Sequence, residues 1–253
     1  MDVISAMQVL RVGASAMAAQ ERAVDVISNN IANVNTAAFG RSRVEFKEVL
    51  QAQTEPSGDT AGVEVGGIRH IWKQGVVRST GRNLDLAIQG DGFFQVRLPD
   101  GRTAYTRDGT FQRGADGALS TADGYLLVPP LTVPEKASDF HFNPDGSLMV
   151  RDDAGNWTVA GTLQLAVFNN PEGLEHIGHG VYLASTDSGN ATVLAPGQPG
   201  SGQLVAGALE DSSVELSQEM VDLIAAQRLY SLGVKVVQTA DDMQALANQL
   251  AGR

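Results

Sequence analysis

The feature that most constrains the fold is the C-terminal segment, residues 211–250, where one predicted helix carries two apolar seams. In both seams most steps between neighbouring members are three or four positions, which is the helical spacing. The first seam contains Leu216, Met220, Leu223, Tyr230, Val234 and Val237. The second seam contains Ala225, Leu229, Leu232, Val236, Met243, Leu246 and Leu250. Because one neighbouring helix covers only one seam, this helix requires apolar neighbours on two sides.

A second helix is predicted near the N-terminus, because residues 3–35 contain no proline and one glycine. Its seam advances in steps of four and three, with Glu21 and Ser28 filling two positions of the pattern. The seam contains Val3, Met7, Leu10, Ala14, Met17, Val24 and Ile31. We expect the two terminal helices to pair as a coiled-coil stalk, and the remaining seam to pack against other copies of the chain.

The middle of the chain changes to a pattern of short strands. Asp-Gly pairs stand near short apolar or aromatic runs, and Asp-Gly supplies the positive φ that tight turns need. The pairs begin at Asp91, Asp100, Asp108, Asp116, Asp123 and Asp145. The predicted fold is therefore α+β, with the paired terminal helices and an all-β central body. The predicted domains are a helical stalk formed by 1–35 and 213–253, a joint over 36–66, and a β-rich body over 67–212.

Composition disfavours several classes of function. The chain of 253 residues contains no cysteine and has a formal charge of 18 − 29 = −11 without a basic stripe. The acidic balance disfavours nucleic acid and anionic membranes as partners. The absence of cysteine excludes disulfides and thiolate catalysis. No apolar run is long enough to span a bilayer, and the N-terminus lacks the pattern of a cleavable signal peptide.

Candidate catalytic and metal-binding residues are few. His176 and His179 lie three residues apart beside Glu175, but no third strong ligand is near, so a surface loop is favoured over a metal site. The spacing of the Asp-Gly carboxylates fits hairpin turns better than the alternate-residue ligands of a calcium loop. No nucleophile elbow or phosphate loop occurs. We therefore predict no enzyme activity, no catalytic residues, no cofactor and no metal.

A cluster of asparagines ends the N-terminal helix, in the segment SNNIANVNTAAFGRSRVEF, 28–46. Asn29 and Asn30 lie four and three positions before Asn33, so all three share a helix face. Each amide both donates and accepts hydrogen bonds without carrying charge. Asparagine also tolerates the left-handed conformation that ends helices. From the residues alone, two interpretations are equally favoured. The segment is either a polar helix end before a loop, or a set of side chains that hydrogen-bond a closely packed neighbour.

The same segment resembles the signature of flagellar axial proteins, the family of rod, hook and hook-associated components. The matching residues are Asn29, Asn30, Ile31, Ala32, Asn33, Thr36 and Phe39, and the basic residues Arg41 and Arg43 follow. Residues 84–96 and 104–112 are similar to the family's β-body, and 204–250 is similar to its C-terminal segment. The chain most resembles the distal rod members, although 46–66 is shorter than their typical insertion.

The resemblance implies a structural subunit of the bacterial flagellar basal-body rod, which polymerises into a helical tube and transmits torque from motor to hook. The expected partners are further copies of the chain, other rod and hook proteins, and the flagellar export apparatus, which would deliver the chain without a signal peptide. The seam residues of both helices would pack between subunits. A proximal rod role or a rod/hook-like paralogue stays open. A secreted oligomeric β-rich binding protein is the alternative from another class, and a hydrolase is a distant third.

Overall fold

The computed structural model describes residues 3–51, 60–134, 137, 139–152 and 155–251. Two long helices flank a series of strands, and a 3-10 turn spans Pro171–Gly173. Helix α1 is Val3–Ala32 and helix α2 is Leu216–Ala251. The strands are β1 (Arg41–Gln51), β2 (Thr60–Ile71), β3 (Val77–Ser79), β4 (Leu86–Gln89), β5 (Phe93–Arg97), β6 (Thr103–Thr106), β7 (Phe111–Arg113), β8 (Leu119–Thr121), β9 (Leu126–Val128), β10 (Asp139–Phe142), β11 (Ser147–Arg151), β12 (Trp157–Thr162), β13 (Leu165–Val167), β14 (Glu175–Gly178), β15 (Val181–Leu183), β16 (Thr192–Leu194), β17 (Gln203–Ala206) and β18 (Ala208–Glu210). The order of elements confirms the predicted α+β class.

The chain divides into two units. The helical unit contains α1, the ribbon of β1 and β2, and α2, whereas the body contains residues 33–41 and 72–214. The range 36–66, which we expected to be a joint, therefore holds residues of both units, including the whole of β1. Its role as a joint stays a prediction.

In the helical unit, α1 and α2 lie antiparallel. Gly13 of α1 lies against Val237 of α2, and Met17, one turn further along α1, lies against Gly233, one turn earlier on α2. Small side chains allow this close approach, because a Cβ added at Gly13 would lie 2.8 Å from Val237 Cγ2. The ribbon packs on the same pair of helices through a cluster of Ala23, Val26, Val44 and Ala226, with Val24, Ile27 and Val65 against it.

The body is built from antiparallel strands. Its largest sheet has nine strands, in which β14, β15, β6, β5, β9, β8 and β7 follow one another and β13 joins β5 to β16. Strands β10, β11 and β12 form a second sheet, β17 pairs with β4, and β18 pairs with β3. The main core contains Leu86, Ile88, Phe94, Phe111, Leu119, Leu127, Leu131, Val133, Phe142, Leu148, Val150, Leu163, Leu165 and Leu204.

Four of the six Asp-Gly pairs of the body lie in turns, as predicted, namely those that begin at Asp100, Asp116, Asp123 and Asp145. Asp91-Gly92 lies at a bend, and Asp108-Gly109 lies in irregular backbone. The glycine has a positive φ in five of the six pairs: Gly92, Gly101, Gly117, Gly124 and Gly146. The sixth, Gly109, is required for a different reason, because a Cβ there would overlap the carbonyl oxygen of Leu86. Several of the aspartates close their own turn. Asp100 Oδ1 accepts the backbone N–H of Arg102 at 3.0 Å, and Asp145 Oδ1 accepts that of Ser147 at 2.9 Å.

Candidate assembly surface

Apolar side chains remain exposed along most of α2. Their exposed fractions range from 39% at Leu216 to 60% at Val221. The exposed set is Leu216, Met220, Val221, Ile224, Leu229, Tyr230, Leu232, Val236, Met243 and Leu246. A helix that packs against one neighbour normally confines such residues to one buried stripe. Within one chain, α2 therefore presents more apolar surface than α1 covers.

The face of α2 that is buried consists of small residues and one carboxylate. Glu219, Ala226, Gly233 and Ala240 repeat at intervals of seven residues, and all four are buried or half-buried. The large residues of the predicted first seam fall into a half-buried group and an exposed group. Leu223, Val234 and Val237 are half-buried, whereas Leu216, Met220 and Tyr230 are exposed. Every member of the predicted second seam whose side chain is described is exposed, namely Ala225, Leu229, Leu232, Val236, Met243 and Leu246.

Helix α1 has the same division between small and large residues. Its buried positions include Gly13, Ala19, Ala23 and Val26. The predicted seam residues Leu10, Met17, Val24 and Ile31 are half-buried, and Ala14 is exposed. The side chains of Val3, Met7 and Leu250, which we also predicted to pack between subunits, lie outside those described. The sequence pattern that would have identified the buried face is the spacing of its alanines and glycines.

The first half of the asparagine segment forms a buried polar network at the end of α1. Asn30, which is 1% exposed, donates from Nδ2 to the carbonyl oxygen of Ser42 at 2.8 Å, and its Oδ1 accepts the Ser42 N–H at 3.0 Å. The amide thus bonds both backbone groups of Ser42, as the backbone of a neighbouring strand would. Nδ2 also donates to Glu219 Oε2 at 3.0 Å, and Glu219 is fully buried. Ser42 Oγ lies 3.0 Å from His70 Nδ1 of β2.

The remaining signature residues lie in different surroundings. Asn29 and Ala32 are exposed and Ile31 is half-buried. Asn33 and Thr36 form a local turn, in which Thr36 Oγ1 donates to Asn33 Oδ1 at 3.1 Å and Thr36 N donates to Asn33 O at 3.1 Å. The half-buried Phe39 ends the segment.

Two expectations for this part of the chain were wrong. The left-handed residue after α1 is Ala38, with φ 53°, rather than an asparagine. The sequence also makes Ser212 or Ser213 a reasonable N-cap of the second helix. Neither serine caps it, because α2 begins at Leu216. Ser213 instead bonds the segment after α1, because its N–H donates to the Phe39 carbonyl oxygen at 3.0 Å and its Oγ accepts the Arg41 N–H at 3.0 Å. Tertiary contacts outweigh local capping preferences here.

A buried ion pair fixes the strand of the body that leads into α2. Arg107 Nη2 lies 2.9 Å from Glu210 Oε2, with 9% and 6% of the two side chains exposed. Arg107 also donates to the carbonyl oxygens of Gly90 and Gly92, and Glu210 Oε1 accepts the N–H of Gly75 at 2.9 Å. The Ala38 N–H donates to the Glu210 carbonyl oxygen at 2.8 Å. The segment that follows α1 and the segment that precedes α2 are thereby hydrogen-bonded to each other within the body, at Glu210.

The histidine pair considered as a metal site has other contacts. His176 packs on the ring of Tyr182, and His179 Nδ1 lies 3.5 Å from Asp123 Oδ1. Burial, and secondarily the charge of His179, lowers the pKa of His176. In the described part of the chain, no group of three or more His, Asp or Glu side chains is placed to hold a metal ion. Neither described helix is long and apolar enough to cross a membrane.

Three protein-family models match the chain. The model for flagella basal body rod proteins matches residues 10–39, which include Asn30 of the polar network. The model for the D1 domain of flagellar hook proteins FlgE/F/G matches 87–150 in the body. The model for the C-terminal part of flagellar basal body rod FlgEFG proteins matches 205–250, which includes almost all of α2. The helix pair and the body are thus each matched.

Relatives similar over the full length are rod proteins. The flagellar basal-body rod protein FlgG of Caulobacter vibrioides is 43% identical over 260 residues, which cover 96% of this chain and 99% of the relative. That of Borreliella burgdorferi is 36% identical over 261 residues, with 96% and 98% covered. The flagellar hook protein FlgE of Helicobacter mustelae is 39% identical over 130 residues, but these are only 29% of its length.

Proposed function

The chain belongs to the family of the flagellar basal-body rod protein FlgG, and we propose that it polymerises through α1 and α2 into the helical tube of the distal rod. It is a structural subunit of the rod rather than an enzyme, as its relatives are. Their full-length similarity favours a rod position over the hook, because the hook relative matches only over part of its length.

The observation that carries this proposal is the exposed apolar surface of α2. Ten large apolar side chains of this helix are between 39% and 60% exposed. Burying a Leu or Met side chain stabilises a contact by about 1.5 to 3 kcal/mol relative to leaving it exposed. These residues lie on more than one side of the helix, so each α2 can contact more than one neighbouring copy. Heterologous contacts that do not close produce a helical polymer.

The proposal has three further parts, which concern the helix pair, the joint and the partners. Within one subunit, α1 and α2 pair as a coiled-coil stalk, for which the antiparallel contacts Gly13–Val237 and Met17–Gly233 are the support. The signature residues and the helix seams carry axial assembly, residues 36–66 act as the joint, and the tube transmits torque from the motor to the hook. The partners are further copies and other rod and hook proteins, and the flagellar export apparatus delivers the chain to the basal body.

Polymerisation can be tested with a charge on the exposed face of α2. We expect Leu232→Glu to abolish sedimentable filaments, because Leu232 is 56% exposed and its burial would bring an unpaired carboxylate into an apolar contact. The matched control is Gln238→Glu, which adds the same charge at an exposed polar position of the same helix. Both variants should unfold in urea like the native chain. Normal filaments with Leu232→Glu would refute the proposed surface.

The size of the native assembly separates the proposal from its alternative. Analytical ultracentrifugation should show particles that grow with protein concentration. Assembly that stops at a small fixed number of subunits would instead favour a closed ring, as in a secreted oligomeric binding protein.

The position in the flagellum requires a separate experiment. Purified hook–basal bodies should contain the chain by mass spectrometry, and antibody label should lie in the rod just below the hook. Label nearer the motor would indicate a proximal rod subunit, and absence of the chain would indicate a paralogue with another role.

A further inference from the structure

The α1–α2 contact contains little that fixes one alignment of the helices. Its buried positions are mainly alanine and glycine, with Ala19, Ala23, Ala226 and Ala240 all at 9% exposure or less. A shift of one heptad along α2 would replace most of these small residues by another small residue. The exception is Gly233, where an added Cβ would lie 2.8 Å from Met17 Cγ. Packing alone therefore discriminates weakly between the native alignment and a displaced one.

One polar contact breaks this repetition. Asn30 and Glu219 are 1% and 0% exposed, and Asn30 Nδ2 lies 3.0 Å from Glu219 Oε2. In the seven-residue series on α2, Glu219 is the only member that is not alanine or glycine. A heptad shift would place Ala226 at Asn30, or would separate the Glu219 carboxylate from the Asn30 amide. Loss of a hydrogen bond to a buried carboxylate is costly, so displaced alignments are disfavoured.

The alignment given by this contact agrees with the rest of the helix pair. The residue numbers of the contacting pairs Gly13–Val237 and Met17–Gly233 each add up to 250. Those of Asn30 and Glu219, at the other end of the contact, add up to 249. A single antiparallel register therefore extends over the length of the pair. Asn30 is itself fixed, because its amide makes both backbone hydrogen bonds of Ser42.

We propose that Asn30 and Glu219 are the register-determining residues of the α1–α2 pair, with Asn30 held in place by the first residues of β1. The consequence for assembly rests on the proposed function. A shift of one heptad would move the exposed residues of α2 by about 10 Å relative to α1, at 1.5 Å per residue. Subunits with different registers would then present different surfaces, and a regular tube would not form.

The register can be measured by disulfide crosslinking, because the native chain contains no cysteine. Gly13→Cys with Val237→Cys reports the native register. Gly13→Cys with Gln244→Cys reports a shift of one heptad, since Gln244 lies seven residues beyond Val237. Each cysteine pair is placed in the full-length native chain and in two variants, Glu219→Met and Glu219→Gln. Met and Gln have nearly the same shape as Glu, but only Gln retains an oxygen that can accept from Asn30 Nδ2.

The crosslinking is done on dilute soluble chain, and monomer-sized bands on a non-reducing gel are counted. We expect the native pair to dominate in the native chain and with Glu219→Gln. With Glu219→Met the ratio of native to shifted crosslinks should fall about tenfold, which corresponds to about 1.4 kcal/mol of lost preference. Far-UV circular dichroism should show that the helices of Glu219→Met remain folded, because Asn30 Nδ2 still donates to the Ser42 carbonyl oxygen when the carboxylate is replaced.

Three outcomes would overturn the inference. In the first, Glu219→Met keeps the native crosslink ratio, so the contact does not select the register. In the second, Glu219→Met loses its helices, so the contact serves stability rather than register. In the third, native crosslinks appear only between chains. Because no filament is needed, none of these results bears on whether the chain polymerises, which the Leu232→Glu experiment decides separately.

Discussion

The two units of the chain bury different kinds of side chain. The body buries large ones, and Leu86, Ile88, Phe94 and Phe111 are each no more than 1% exposed. The helical unit buries mainly alanine and valine, as in its cluster around Ala226, and leaves most of the described leucines, both methionines and the tyrosine of α2 exposed. Large apolar side chains supply most of the hydrophobic stabilisation of a fold. The body therefore obtains its stability within one chain, whereas the proposed assembly would supply much of the stability of the helical unit.

The two units can be followed separately in solution. Both tryptophans, Trp72 and Trp157, belong to the body, so tryptophan fluorescence reports the unfolding of the body. Most helical residues belong to the helical unit, so circular dichroism at the helix minimum reports α1 and α2. If the comparison is correct, a substitution in one unit should move one signal much more than the other.

The largest effect is expected from truncating a core side chain of the body. Phe94→Ala should lower the free energy of unfolding by about 3 to 5 kcal/mol, because Phe94 is fully buried and its truncation leaves a cavity. Leu232→Ala removes an apolar side chain that is exposed in one chain. It should change the free energy of unfolding by less than about 0.5 kcal/mol and yet weaken filament formation.

Urea unfolding followed by fluorescence measures the first effect, and sedimentation of filaments measures the second. The comparison of the units fails if Leu232→Ala destabilises the isolated chain as much as Phe94→Ala does. In that case α2 would already be packed within one chain.

A smaller effect, still confined to the body, is expected at its buried ion pair. Arg107→Met should cost about 3 kcal/mol, because it leaves the Glu210 carboxylate buried with fewer partners. The lower end of the usual range applies because the Gly75 N–H still donates to Glu210.

The double variant Arg107→Met with Glu210→Met is the control, since it removes both charges. Fluorescence-detected urea unfolding should show the double variant to be more stable than Arg107→Met alone. If the single variant is as stable as the native chain, the ion pair does not anchor β18.

The parts of the fold that the sequence predicts are those with a strong repeating pattern. Both helices were predicted close to their observed bounds, and the Asp-Gly pairs predicted the turns of the body. The β1–β2 ribbon was missed although Val44 and Phe46 already alternate with charged residues in β1. Glycines and charges on both sides of that short alternation made it resemble a flexible segment.

The buried face of the helix pair was missed for another reason. A helical seam is recognised in a sequence by its large apolar residues, whereas these helices approach each other through Gly13, Gly233 and Ala226. Large side chains are kept out of such a contact by its closeness. The partners of Asn30 were also beyond prediction, because its hydrogen bonds join residues that are 12 and 189 positions away in the sequence. Only the fold brings Ser42 and Glu219 to the same amide.

The smallest predicted effect concerns acid. Burial raises the pKa of Asp85, but hydrogen bonds from Arg82 and Thr80 more than offset it, so the pKa lies below the ordinary value of 3.8. A carboxylate with a lowered pKa stabilises the folded state at pH values above the unfolded pKa, and this contribution is lost as pH falls through the folded pKa. The stability of the body should therefore decline below about pH 4.

Asp85→Asn tests this decline within the body. Fluorescence-detected urea unfolding at a series of pH values should show a variant that is less stable near pH 7 but loses less stability on acidification. Thr80 Oγ1 donates to Asp85 Oδ2 at 2.6 Å. Thr80→Ala removes this donor and should give an acid slope between those of the native chain and Asp85→Asn. An unchanged acid slope in Asp85→Asn would show that the decline has another source. Because Asp85 lies in the body, Asp85→Asn should change the acid slope measured by tryptophan fluorescence. The acid slope measured by circular dichroism of the helices should stay the same, so even this small effect separates the two units.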